Sequence, residues 1–333
     1  MNSLPERSGM DRRALAAASV TVVLWASAFV SIRACADYFE PGALALGRLL
    51  TGSVALVCLL VAKRGGVPPR KAWPGIAASG VFWFGVYMVV LNWGEQLVDA
   101  GTASMIVNVG PMVIALLGGW FLKEGFPPLL LAGMAVSFVG AVVVGFSTSG
   151  GGSSSILGLA LCLLAAVAYG CGVVFQKPAL RHATPMQVTT YGCLIGAVAC
   201  LPFSGQLVTD LSKAPLSATL NVVYLGLFPT ALAFSTWAYA LSRTTAGKMG
   251  ATTYAVPAVV ILISWIALDE VPGWVTLLGG AICLSGVAVS RMPGFRRRGP
   301  EEVVVPPAPA EARTAVKTPD QPVETGGTDG SGL

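Results

Sequence analysis

Six side chains in this 333-residue sequence have the type and placement to hold a small polar molecule inside an apolar protein: Arg48, Asn108, Tyr254, Tyr87, Trp25 and Tyr169. Arg48 follows Pro41 by seven residues, about 10 Å along a helix, inside a run that is otherwise apolar. A guanidinium at such depth is a natural partner for a carboxylate or phosphate. The competing readings are a pair with another helix or a side chain that snorkels to the interface. Asn108 and Tyr254 each stand three residues before a proline, Pro111 and Pro257. A proline inside a helix gives no N–H to the carbonyl four residues back, here those of Val107 and Thr253. In lipid a freed carbonyl must find another partner or line a polar cavity, so each proline marks either a binding site or a simple kink. Trp25, Tyr87 and Tyr169 fall near the middle of their apolar runs, where a phenol needs a partner.

These residues can bind, but the sequence offers little to react. The seven cysteines are scattered through apolar segments with no CxxC pair, and the single histidine, His182, sits beside Arg181 in a polar stretch. No metal site and no cofactor are expected, and an embedded transferase is disfavoured because it needs clustered His, Asp or Glu near the interface. Glu124 and Glu270 come two or three residues before a proline, which suits a carboxylate at the positive end of the next helix better than a proton carrier. Glu95 and Asp99 fall at the end of an apolar run and not within it.

The elements that must position these groups are membrane helices. The chain is 54% hydrophobic and 11% charged, against roughly 25% charged for a soluble domain. Crossing a hydrocarbon core of about 30 Å takes about 20 helical residues. Runs of that size fall at 14–33, 42–62, 74–94, 101–122 and 127–146, then at 156–176, 185–203, 219–241, 248–268 and 272–290. The predicted fold is therefore an all-α polytopic membrane protein of ten transmembrane helices. Residues 1–13 precede the first span, 147–155 form a Gly/Ser linker, and the Pro/Glu/Ala/Thr/Gly-rich stretch 292–333 reads as a disordered tail.

The two halves repeat. Ala100/Ala246, Gly101/Gly247, Pro111/Pro257, Leu122/Leu268, Glu124/Glu270, Gly133/Gly279 and Gly140/Gly286 align at a constant offset of 146. Nearer the front, Trp25/Tyr169, Arg33/Lys177 and Pro41/Pro185 align at 144, and Arg48 falls on Gly192. Five spans per half force the two copies, 14–146 and 156–291, to be inverted in the membrane, with the paired prolines near its centre. Apart from Arg33 and Lys213, the loop lysines and arginines collect on the side of the N-terminus, which predicts cytoplasmic termini. The same clustering assigns the net charge of +5 to topology and not to nucleic-acid binding.

Trp25-Ala-Ser-Ala-Phe-Val-Ser-Ile, Pro41 with Arg48 seven residues on, and the doubled pattern of Pro, Glu, Gly and Gly together resemble the EamA-type members of the drug/metabolite transporter superfamily. The resemblance spans residues 14–290. It implies two inverted five-helix bundles around a central cavity, no cofactor, and export of small metabolites such as amino acids, or of drugs. The expectation is then a plasma-membrane secondary carrier working by alternating access. Its small-molecule substrate would meet Arg48, Asn108, Tyr254, Tyr87, Trp25 and Tyr169, with Pro111 and Pro257 as helix breaks. Protons are the candidate coupling ion and a homo-oligomer is compatible; a multidrug exporter is the alternative.

Overall fold

The computed structural model describes residues 12–121, 153–244, 246–269 and 273–290, with scattered positions of 128–143. The expected fifth span at 127–146, Glu124, Glu270 and the tail 292–333 lie outside the described residues. The described chain is helical throughout. Six helices are long and apolar enough to cross a membrane: α1 (Arg12–Cys35), α2 (Pro41–Ala62), α3 (Arg70–Leu97), α4 (Ala100–Phe121), α5 (Ser153–Ala179) and α7 (Leu216–Ser242). A seventh, α6, is a pair of helices, Pro185–Ala199 and Leu201–Lys213, bent by 52°. The last two segments, α8 (residues 246–268) and α9 (Trp274–Ser290), are interrupted or shorter. Among the described residues six spans are therefore clear and a seventh is bent, and α5 begins at Ser153, within the stretch expected as a linker.

Helix ends follow the local sequence. Pro41 opens α2 with its ring in the first turn, where a missing N–H costs nothing. Asp99 caps α4, Oδ1 accepting from Thr102 N at 2.8 Å. Thr184 and Gln187 form a reciprocal capping box at the start of α6. The outward faces are apolar: Val54, Val61 and Ile266 are 65%, 69% and 75% exposed, the sign of a surface solvated by lipid.

Two helices carry a widened turn. Gly80–Tyr87 in α3 and Gly226–Leu232 in α7 are π-helical, and their first residues differ by 146, the offset of the sequence repeat. Each packs against a helix of the other half. Gly226 lies on α2, where an added Cβ would come 2.7 Å from the Arg48 carbonyl and 2.9 Å from Gly52 N. Gly80 lies on α6, where its Cβ would come 2.9 Å from the Gly192 carbonyl, and Gly196 faces Phe84 and the Gly80 carbonyl. Only glycine lets the backbones approach this closely.

The ends of α1 and α5 are tied down in matching ways. Arg33 Nη1 donates to the Glu95 carbonyl at 3.2 Å, and Lys177 Nζ donates to the Leu241 and Thr244 carbonyls. Each cation thereby satisfies carbonyls left over at a helix C-terminus. Lys177→Met is expected to lower stability by about 1–3 kcal/mol, since a hydrogen bond to a charged donor is lost; thermal unfolding in detergent measures it.

Candidate functional site

One cavity gathers most of the expected site. Its lining includes Arg48 from α2, Trp25 from α1, Tyr87 from α3, Asn108 and Pro111 from α4, and Tyr169 from α5. It leaves about 40 Å³ for the centres of water molecules, room for a few waters. A molecule larger than that requires the lining to give way.

Arg48 is 3% exposed. Its Nε donates to Thr230 Oγ1 at 3.2 Å, and this is the only hydrogen bond of the guanidinium among the described residues. Thr230 sits in the π-helical turn of α7 directly after Pro229. The wide turn therefore carries the residue that orients the cation, in keeping with the frequent placement of π-bulges at functional sites. Arg48 also lies within electrostatic reach of Tyr87 and of Glu95. Glu95 is fully buried, although its place near the end of α3 suggested a helix-end acid. The reason lies in the connection between α1 and α2. Gln96 Nε2 donates to the Ala36 and Phe39 carbonyls at 3.2 and 3.0 Å, and Asn92 Nδ2 to the Pro41 carbonyl at 3.0 Å. These bonds draw the connection onto the end of α3, so what looked like an exit from the membrane is roofed over.

Asn108 occupies the interruption in α4. The first piece ends at Val107 and the second begins at Gly110. Asn108 Nδ2 donates to the Ser104 carbonyl at 3.2 Å, while Oδ1 is buried with no hydrogen-bond partner among the described residues. In α8 the same register holds a 3₁₀ turn, Thr253–Ala255, ahead of Val256 and Pro257. There Thr253 and Val256 line the cavity and Pro257 is buried but is not one of its lining residues. The side chain of Tyr254 lies outside the described residues.

The rest of the wall is aromatic. The Trp25 ring has neighbours at 4.8 Å (Trp237), 5.3 Å (Phe234), 5.8 Å (Trp83) and 6.3 Å (Tyr169), centroid to centroid. Trp25 Nε1 is buried and finds no acceptor among the described residues. Trp25 and Tyr169, paired by the 144-residue offset, thus meet ring to ring. The lining residues Phe29, Leu91 and Phe234, and Thr230 behind Arg48, were not singled out by the sequence; a Thr or Phe in an apolar span carries no signal of its own. Trp83, Tyr87 and Leu91, spaced by four, make one stripe of α3 along the cavity.

Taken together the described lining offers a guanidinium fork, an amide oxygen, an indole N–H and several π faces. That set can hold a carboxylate at Arg48 and an ammonium at Asn108 Oδ1 or against the rings. A buried, mixed polar and aromatic cavity among apolar helices is the kind of site a membrane transporter needs. The comparisons agree: the model of the EamA-like transporter family matches residues 12–146 and again residues 156–292, and the chain belongs to that family. It is 37% identical over 289 residues, covering 86% of this chain and 96% of the relative, to a "Probable terminal-alkyne amino-acid exporter" of Streptantibioticus cattleyicolor. It is 23% identical to a "Probable amino-acid metabolite efflux pump" of Escherichia coli, over 84% of this chain and 95% of that protein. A solved crystal structure shares the fold with a TM-score of 0.62 at 20% identity, over 85% of this chain and 98% of that one.

Proposed function

We propose that this protein is a secondary carrier that exports a small amino acid or a similar zwitterion across the plasma membrane, both termini facing the cytoplasm. The observation that carries the reading is Arg48: a buried guanidinium on the cavity wall, held at Nε by Thr230, with its remaining nitrogens uncommitted among the described residues. A charge in that setting costs too much to keep without a use, and a substrate carboxylate is the partner its fork fits. The names of the relatives, an amino-acid exporter and an amino-acid metabolite efflux pump, favour the same substrate class.

Alternating access of two inverted halves is the mechanism we infer. Its support is a set of contacts that recur with the halves exchanged. Gly52 against Gly226 becomes, at the repeat offsets, Gly196 against Gly80, and Arg33 on the Glu95 carbonyl becomes Lys177 on the Leu241 carbonyl. Such reciprocity is what a two-fold relation between the copies produces. Pro111 and Pro257 then serve as helix breaks at the interrupted segments of α4 and α8.

Flux across proteoliposomes holding the purified full-length protein tests the function. The panel is neutral amino acids, a terminal-alkyne amino acid and lipophilic cations, with and without a proton gradient. Saturable flux of the zwitterions supports the proposal; flux of the cations alone overturns it in favour of a multidrug exporter, the reading that the aromatic wall around Trp25 would otherwise suit. Thr230→Val is expected to weaken the apparent affinity for a zwitterion about tenfold, because a hydrogen bond to a charged group is lost. The concentration dependence of flux checks this.

A further inference from the structure

The two repeats contribute unequally to the cavity. Ile32 of α1 and Leu91 of α3 belong to its wall, whereas their counterparts at the repeat offsets, Gln176 of α5 and Trp237 of α7, do not. Both counterparts are fully buried. Neither Nε2 nor Oε1 of Gln176 is in a hydrogen bond among the described residues, and Trp237 Nε1 finds no acceptor among them. A buried carboxamide with both ends unpaired costs stability that an apolar side chain of the same size would not. Packing alone therefore gives no reason for an amide at position 176.

Register places these side chains along one path. Tyr169, Val173 and Gln176 follow one another by four and three residues, a single face of α5 that starts at the cavity and runs toward Lys177. The Trp237 ring stands 6.2 Å from Tyr169 and 5.6 Å from Trp83, and one turn further along α7 the Leu241 carbonyl accepts from Lys177. On α3, Ser79 comes one turn before Trp83, on the way to Gly75, where an added Cβ would lie 3.0 Å from the Cβ of Ala179 at the end of α5. Ser79 is 1% exposed, and its Oγ has no partner among the described residues. Its counterpart is Leu225. Unpartnered polar groups thus stand at three positions where the other half has Ile32, Leu91 and Leu225.

Resting on the exchange of inverted halves inferred above, we propose that Gln176 and Trp237, with Ser79 beside them, line a second substrate path that is closed in this conformation and opens at the Lys177 end. When the halves exchange roles, Gln176 takes the place on the wall that Ile32 has now. A carboxamide can donate to a carboxylate and accept from an ammonium, so it suits a zwitterion. Being uncharged, it holds the molecule less firmly than Arg48 and passes it on between the guanidinium and water. The unpaired amide destabilises the closed state, and substrate or water reaching it stabilises the open one, so the same group eases the exchange.

Two variants of the full-length protein test this. Gln176→Leu removes the unpaired amide while filling its space, so the melting temperature in detergent is expected to rise by about 2–4 °C. Maximal flux of a neutral amino acid through proteoliposomes should fall about tenfold, because the closed state is favoured. An amide that merely supports the fold gives the opposite sign, a lower melting temperature. Gln176→Cys reports exposure directly, in nanodiscs, with a small water-soluble methanethiosulfonate and peptide mass spectrometry to locate the modified residue. Position 176 should label at least about tenfold faster than native Cys162, which is as buried on the same helix but packed against Gly94 of α3. A lower melting temperature or unchanged flux in Gln176→Leu, or labelling no faster than at Cys162, overturns the proposal and leaves the Arg48 reading in place. If the unaltered protein moves no zwitterion at all, that reading falls, and this inference with it.

Discussion

Arg48→Ala is expected to reduce kcat/KM for a zwitterionic amino acid about 100-fold, the consequence of losing a desolvated, charge-assisted contact. Flux of hydrophobic cations through the same cavity should be spared or improved, because removing the guanidinium removes a like charge. The contrast matters more than the loss. Arg48 packs against α7 through its own carbonyl and through Thr230, so alanine could also loosen the helix pair and depress all flux. A fall confined to substrates that carry a carboxylate is the outcome that assigns Arg48 to binding. Arg48→Lys adds a graded comparison: it keeps the charge but loses the planar fork and the Nε contact to Thr230, and should fall between the two.

The other large effect concerns folding. Gly226→Val should destabilise the protein by about 3 kcal/mol, the upper range for overpacking a tight contact. A Cβ at this position would lie 2.6 Å from the Thr51 Cβ and 2.7 Å from the Arg48 carbonyl, so backbone would have to move to accept it. Gly80→Val should act similarly, against the Gly192 carbonyl at 2.9 Å. Gly205→Val is the control, since nothing lies within 4 Å of the place its Cβ would take. Thermal unfolding of the three variants in detergent, with the fraction of monodisperse protein, separates them: Gly205→Val should match the unaltered protein and the other two should not.

Much of this arrangement was legible before any coordinates. The repeat shows because proline, glycine and acid positions keep their spacing through long apolar stretches that otherwise look alike. Arg48 shows because a charge in such a stretch is conspicuous, and Asn108 because it precedes a proline. What the sequence hides are the partners. Thr230 reads as one more small residue in an apolar run, and only the crossing of α2 and α7 puts it on the guanidinium. Glu95 misleads because depth counted along one helix ignores a connection from another that folds over the end. The 52° bend after Ala199 splits what looked like one span at 185–203, since Leu201-Pro202-Phe203 is as apolar as the helix before it. Of the two widened turns only that of α7 leaves a mark, Pro229, which has no N–H for the carbonyl four residues back; nothing in Gly-Val-Phe-Trp of α3 favours five residues over four between bonded amides.

Those widened turns have a mechanical consequence. A helix that contains one holds a surplus residue at a single level, and in α7 Pro229, which has no N–H to give, fixes where that surplus sits. The extra residue rotates the side chains beyond it by a fraction of a helical turn, and so sets the direction in which Trp83 and Thr230 face. Arg33 and Lys177 tie down the last carbonyls of α3 and α7, so a strain at either widened turn is borne by the stretch between it and that anchor.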